Sequence, residues 1–288
     1  MTDTEAYVRS LLVTDPLIEP VIRAAIGALQ LPSGSQGLDA GCGIGSQALL
    51  LAEAVGPGGH VTGLDLSPEL LAYGTEIVEQ AGLSARIKFR KGDVRTLPFD
   101  DGAFDWAWSK DCVGYGPQPE PLPLVNELAR VVRPGGSVAI LAWSSQMLLP
   151  GYPQLEARLN ATSAGIAPFS RDSRPEAHFL RGLGWFRDAG LEALSVQTFA
   201  GNAHAPLSDE IRAALLAILE MRWPDVEAEL TEKDRTAYRR LCLPGSPDLI
   251  LDHPDYYAFF TYSMFRGRVP GDGHAARRAI GNSRNMEA

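Results

Sequence analysis

Between residues 37 and 143 the chain alternates short apolar runs with longer amphipathic ones, and no other feature restricts its fold as strongly. Residues 37–40, 60–64, 87–90, 104–108 and 137–143 have the length and apolar content of buried strands. Residues 46–55, 68–81 and 121–132 have the length and one-sided apolar stripe of helices. A strand that returns through a helix to its neighbour must run parallel to it, with a right-handed crossover. The segment is therefore predicted to form a doubly wound α/β sheet. A helix is expected just ahead of it, over about 16–31. There Ile18, Val21, Ile22, Ala25, Ile26 and Leu29 recur at spacings of three and four, Asp15 reads as the N-cap and Pro16 as the first helical residue. Pro32-Ser33-Gly34 ends it.

Beyond residue 143 the rhythm breaks. Residues 144–177 carry Pro150, Pro153, Pro168 and Pro175 around a short helical stretch at 154–160. A helix is expected at 178–189 and a strand at 193–199. Helices are expected over 207–241 with a break at Trp223-Pro224, and a final aromatic-rich strand at 256–265. From Pro270 the chain is glycine-rich and polar with no apolar pattern, so 270–288 is expected to be disordered.

Charge narrows the partners. Lys and Arg number 26 against 35 Asp and Glu, a net charge of −9. A surface of that sign repels phosphate backbones and anionic bilayers, which argues against nucleic-acid and membrane partners. No apolar run approaches the ~18 residues that span a bilayer, and the acidic start Met1-Thr2-Asp3-Thr4-Glu5 is unlike a secretory leader. Cys42, Cys112 and Cys242 are too few and too scattered for a disulfide framework or a zinc site. A cytoplasmic setting with no bound metal is expected.

The segment that points to chemistry is Asp39-Ala40-Gly41-Cys42-Gly43-Ile44-Gly45, between the first predicted strand and its helix. Alternating glycines let main chain approach a ligand where a Cβ would collide, and the helix opening at Ser46 presents free N–H groups nearby. Tight turns use glycine for structural reasons too, so the loop alone decides little. Two further acids sit at strand ends: Asp65, 24 residues after Gly41, and Asp93 in Gly92-Asp93-Val94. Ligands of doubly wound sheets bind at the carboxyl ends of the strands, where an acid accepts ribose hydroxyls. Asp39, Asp65 and Asp93 are expected to line one crevice. A nicotinamide-dinucleotide oxidoreductase fits less well, because its G-x-G-x-x-G places the third glycine one residue later.

These residues, with Leu97-Pro98-Phe99, Phe104-Asp105 and Arg130-Val131-Val132-Arg133-Pro134-Gly135-Gly136, together resemble a class I S-adenosylmethionine-dependent methyltransferase of the small-molecule, type 11/25-like kind. The resemblance covers about 16–143 well and 178–200 loosely. It implies a Rossmann-like seven-stranded sheet whose last strand, here 256–265, is antiparallel. One domain over 1–269 is expected, with inserts at about 144–177 and 207–250 serving either as a lid over the substrate or as extra scaffold. Carried over, Gly41, Gly43 and Gly45 would pack against the methionyl part of S-adenosyl-L-methionine, with Asp39 by its amino group. Asp65 would take the ribose hydroxyls and Leu66 the adenine face. Asp93 would accept from the adenine amino group, with a Val94 backbone contact. The Ser109-Lys110 backbone would meet the methionyl end, and Pro134-Gly135-Gly136 would be a structural turn.

The acceptor is less legible. Nitrogen methylation of nucleobases or glutamine often goes with Asn/Asp-Pro-Pro-Tyr/Phe after the fourth strand, where this chain has Ser109-Lys110-Asp111-Cys112. With the acidic charge, that points to a small-molecule acceptor. A cofactor-binding regulator without transferase activity is the other reading. Candidate bases are His178, His204, His253, Asp111 and Tyr115, none of them singled out as catalytic, and Tyr7 is a candidate lid residue. Arg171, Arg174, Arg181 and Arg187, interspersed with acids, read as a solvated face, and Trp106 and Trp108 as core. Cys42 has no basic neighbour to activate it.

Overall fold

A computed structural model describes residues 3–114, 120–165 and 174–271. Seven strands are present: β1 (Gln36–Ala40), β2 (His60–Asp65), β3 (Ile87–Lys91), β4 (Phe104–Lys110), β5 (Val132–Met147), β6 (Glu192–His204) and β7 (Tyr257–Arg268). They form one sheet in the order β3-β2-β1-β4-β5-β7-β6. The first five are parallel, whereas β7 lies antiparallel between β5 and β6. The antiparallel final strand expected at 256–265 is thus present and runs three residues further.

Eight helices accompany the strands among the described residues: α1 (Asp3–Leu29), α2 (Ser46–Ala54), α3 (Pro68–Gln80), α4 (Pro121–Val131), α5 (Pro153–Asn160), α6 (Gly182–Asp188), α7 (Asp209–Arg222) and α8 (Glu232–Cys242). Alternate residues of a strand face opposite sides, so each β-strand feeds two cores. Trp106 and Trp108 are buried on the side covered by α1, α2, α5, α7 and α8. Ala107, Leu38 and Ala40 face the opposite side, against Leu124, Val125 and Leu128 of α4 and Trp185 and Phe186 of α6. The two tryptophans are core, as expected.

Four boundaries differ from the sequence reading. The first helix begins at Asp3, not Pro16, and encloses Pro16 and Pro20. Both prolines are exposed, so the carbonyls they leave unbonded four residues earlier face solvent rather than the core. The second difference is at β5, which begins at Val132; Pro134-Gly135-Gly136 is an irregularity within it, where the register to β4 jumps from Phe104↔Val132 to Trp106↔Ser137. Third, the helix expected at 178–189 holds α-geometry only from Gly182, after two short 3-10 turns. Finally, β6 continues to His204, because β7 offers it an antiparallel partner along that whole length.

The described parts of the two inserts are packed, not splayed. Leu148, Leu149, Leu155 and Leu159 share a core with Ala214, Leu215, Ile218, Leu241 and the inner face of α1. Buried Glu156 joins α5 to the end of β5, accepting from Leu148 N at 2.7 Å and Leu149 N at 3.0 Å. Residues 272–288, nearly all of the tail expected to be disordered, lie outside the described residues. No helix among the described residues is long and apolar enough to cross a membrane.

Candidate functional site

Strand order reverses between β1 and β4, and at such a switch point a crevice opens beyond the carboxyl ends of the strands. A cleft of about 390 Å³ occupies it. Gly41, Cys42, Gly43 and Ile44 line it, next to Ser46 and Gln47 at the start of α2. Asp65 ends β2 and Leu66 follows it, Asp93 and Val94 follow β3, and Lys110, Asp111 and Cys112 come from the end of β4. Tyr7, Leu11, Thr14, Asp15 and Ile18 bring α1 against the same space.

The loop after β1 is held by main chain. Gly41 N and Cys42 N both donate to Leu64 O, at 2.8 and 3.0 Å, and Gly45 N donates to Cys42 O at 2.9 Å. Asp65 fastens it: Oδ2 accepts from Gly43 N at 2.9 Å while Oδ1 accepts from Ser67 N at 3.0 Å. Gly43 and Gly45 both have left-handed backbones, φ +53° and +76°. Their surroundings differ. A Cβ on Gly45 would lie 2.5 Å from the Phe89 ring, whereas one on Gly43 would meet nothing within 4 Å. Gly45 closes the fold, and Gly43 leaves the cleft open.

Directly behind this loop lies Asp39, with 1% of its surface exposed and its Oδ2 without a hydrogen-bond partner. Burial pushes its carboxyl up to about 7; the nearby Asp65 charge adds to this and Lys110 opposes it. A buried carboxylate lacking a partner is costly, which is why burial favours its protonated form here.

The third strand-end acid is differently placed. Asp93 is gripped by Arg95 through Nε, Nη2 and the backbone N–H. Those bonds hold its carboxyl below the usual carboxylate range. Asp39 and Gly45 flank the cleft without lining it, as does Ser109. The Ser109 side chain is buried and donates to Ala40 O at 2.8 Å, locking the ends of β1 and β4 together. Of the nine positions expected to bind the cofactor, six line the cleft: Gly41, Gly43, Asp65, Leu66, Asp93 and Val94.

Sequence reading missed the network beyond β4. Asp111, at φ +48°, accepts from Trp143 N at 3.0 Å and Lys110 Nζ at 2.7 Å, and from the Tyr262 hydroxyl at 3.4 Å. Lys110 Nζ also lies over the Tyr262 ring, 5.3 Å from its centroid. Its members sit far apart in the chain, and no local pattern joins them. Asp15, read as a helix cap, instead lines the cleft from within α1. Extending the three-and-four spacing back past Pro16 through Val8, Leu11 and Thr14 would have shown this face.

The candidate histidines go elsewhere. The Nδ1 atoms of His178 and His253 accept from Leu180 N and Asp255 N two residues on, His204 Nδ1 lies 2.9 Å from Ala205 O, and none lines the cleft. Tyr115 and Arg171 lie outside the described residues. Arg174 pairs with Glu120, while Arg181 and Arg187 are exposed. Burial pushes the Cys42 thiol upward and Cys112 up to about 11, so neither is an activated thiolate. No group of three or more His, Cys, Asp or Glu among the described residues is arranged to hold a metal.

Comparisons with known proteins agree with this geometry. The methyltransferase-domain family model matches residues 38–136, which contain the loop and all three strand-end acids. A demethylmenaquinone methyltransferase of Bacillus cytotoxicus is 33% identical over 185 residues, covering 59% of this chain and 76% of that protein. The demethylmenaquinone methyltransferase of Listeria welshimeri is 35% identical over 129 residues, 44% of this chain and 52% of its own length. Among solved structures, the YcgJ protein of Bacillus subtilis superposes with a TM-score of 0.52 at 15% identity, over 86% of this chain and 98% of that one, a likeness of fold. Sharing a third of its aligned residues with a methyltransferase of which it spans three quarters, the chain belongs to the class I S-adenosylmethionine-dependent methyltransferases and is an enzyme of that family.

Proposed function

We propose that the strand-end cleft binds S-adenosylmethionine and that the enzyme methylates a small-molecule acceptor. The observation that carries the donor assignment is Asp39, a buried carboxylate with a free Oδ2 behind the glycine loop. The residues fit the donor. Its ammonium supplies the cation Asp39 lacks, and the space a Cβ on Gly43 would fill admits its methionyl chain. When bound, S-adenosylmethionine supplies an electrophilic methyl group and departs as a neutral thioether.

Asp65 keeps the loop in shape through Gly43 N and retains lone pairs on both oxygens for the two ribose hydroxyls. Leu66, half exposed at the cleft edge, and Val94 offer apolar faces to the adenine. Asp93, steadied by Arg95, is the acceptor for the adenine amino group, and the backbone at Ser109 supports the methionyl end. A neutral leaving group needs no acid, so the work of these residues is alignment and exclusion of water. Tyr7 and the face of α1 that lines the cleft are placed to close over the donor.

Demethylmenaquinone methyltransferases among the relatives support a small organic acceptor such as a quinol ring. The test is transfer of label from methyl-labelled donor into a panel of naphthoquinols, phenols, amines and thiols. Labelled organic product from at least one class is expected. Donor binding without turnover on any class would favour a regulatory binding protein.

A further inference from the structure

We propose that the free edge of β6 pairs antiparallel with β6 of a second copy of this chain, across a two-fold axis near Phe199, joining two seven-stranded sheets into one. The sheet ends in two edges, β3 and β6, and they are built differently. A bare edge offers unpaired N–H and C=O groups to another strand, and proteins block it with short length, charge, proline or a bulge. β3 is five residues long, and three of them, Lys88, Arg90 and Lys91, are exposed cations. β6 is 13 residues long. From Ala193 to Ala203 it has no charged residue and no proline, in a chain of which 21% is charged. Ala193, at φ +50°, marks a bulge against β7 at the start of the strand, which leaves 195–204 regular.

The edge is also open. Ser195, Val196, Gln197 and Thr198 are consecutive and all exposed, so neither face of the strand is covered there. A groove of about 510 Å³ follows it, between Pro16, Pro20 and Ala24 of α1 and residues 198–202. Residues of both strand faces line this groove, so it runs along the edge and not over one side. A second copy is the occupant that the strand itself specifies. Antiparallel pairing with its own image brings the Glu192 end of each β6 against the partner's His204, so an acid meets an imidazole at both ends of the seam. The stretch between is neutral, which matters for two chains that each carry a charge of −9. Near the axis, Phe199 lies beside the partner's Phe199 as an aromatic cross-strand pair, with the two grooves next to them to take the rings. A two-fold contact of this kind closes on itself and stops at two copies.

Sedimentation equilibrium of the full chain should give twice the monomer mass at micromolar concentration. Val196→Lys combined with Ala200→Lys sets like charges around the axis at exposed positions. It should weaken self-association by at least ~100-fold, with the circular dichroism unchanged. Mixing that variant with Val196→Glu, Ala200→Glu should restore the paired species, since lysine then faces glutamate; a variant monomeric through misfolding would not recover. Wild type that stays monomeric at near-millimolar concentration would overturn the proposal. So would a lysine variant that pairs as tightly as the wild type, or an oppositely charged mixture that stays monomeric.

Discussion

Replacing Asp39 by asparagine separates stability from function in this fold. In the ligand-free protein the folded carboxyl titrates at about 7, against 3.8 for an unperturbed side chain. The folded state therefore holds this proton more tightly than the unfolded chain does. That stabilisation is complete below the unfolded value and is lost as pH rises through about 7. By linkage the loss grows by about 2–3 kcal/mol between pH 5 and pH 8. The amide introduced by Asp39→Asn does not titrate, so the variant gains on the parent by that amount over the interval. At about 2–4 °C per kcal/mol, the difference in Tm should shift by ~5–10 °C in favour of Asp39→Asn. The amide adds a fixed cost of about 1–3 kcal/mol if its own donors go unpaired, which moves both pH values equally. Thermal unfolding of both proteins at pH 5 and pH 8 without ligand measures this directly. Calorimetry at pH 8 should show that the same variant has lost the donor, since a neutral amide no longer balances an ammonium. A Tm difference that does not change with pH, or retained donor affinity, would show that Asp39 is neither the titrating group nor the donor's counter-charge.

Other outcomes follow from the same geometry. Gly45→Ala should lower stability by about 2–4 kcal/mol in urea unfolding, because left-handed strain adds to a clash with Phe89. Gly43→Ala meets open space, so it should cost only the strain of about 1–2 kcal/mol while abolishing donor binding by calorimetry. Glu156→Ala leaves Leu148 N and Leu149 N buried without partners and should cost about 2–5 kcal/mol, with donor affinity unchanged because Glu156 lines no part of the cleft. Donor affinity in the wild type should rise as pH passes from 6 to 8, since binding draws on the ionised Asp39; proton release in two buffers of different ionisation enthalpy would register it.

The first five strands are legible in the sequence because each is a short segment with apolar residues bounded by turns, and β1, β2 and β4 are each followed by a helix. The glycine loop and the three strand-end acids were legible for a related reason: parallel strands put their carboxyl ends in one row, so positions along the chain convert directly into positions around a crevice. What stayed hidden depends on tertiary partners. Pro16 looks like a helix start, and only the exposure of its missing bond lets α1 run through it from Asp3. The length of β6 is set by its pairing with β7, and the bond from the Ser109 hydroxyl to Ala40 O joins residues 69 positions apart. The Lys110–Asp111–Tyr262 contacts join residues about 150 positions apart, a distance no local spacing reveals.

Calorimetric titration of S-adenosylmethionine into the wild type and Asp65→Ala probes whether the strand-end cleft is the donor site. Asp65 both fastens the glycine loop and lines the cleft where the ribose is proposed to lie. Micromolar, one-to-one binding is expected of the wild type, with a loss of at least about 100-fold in the variant, the scale of two hydrogen bonds to a charged group. Wild-type affinity in folded Asp65→Ala would contradict it.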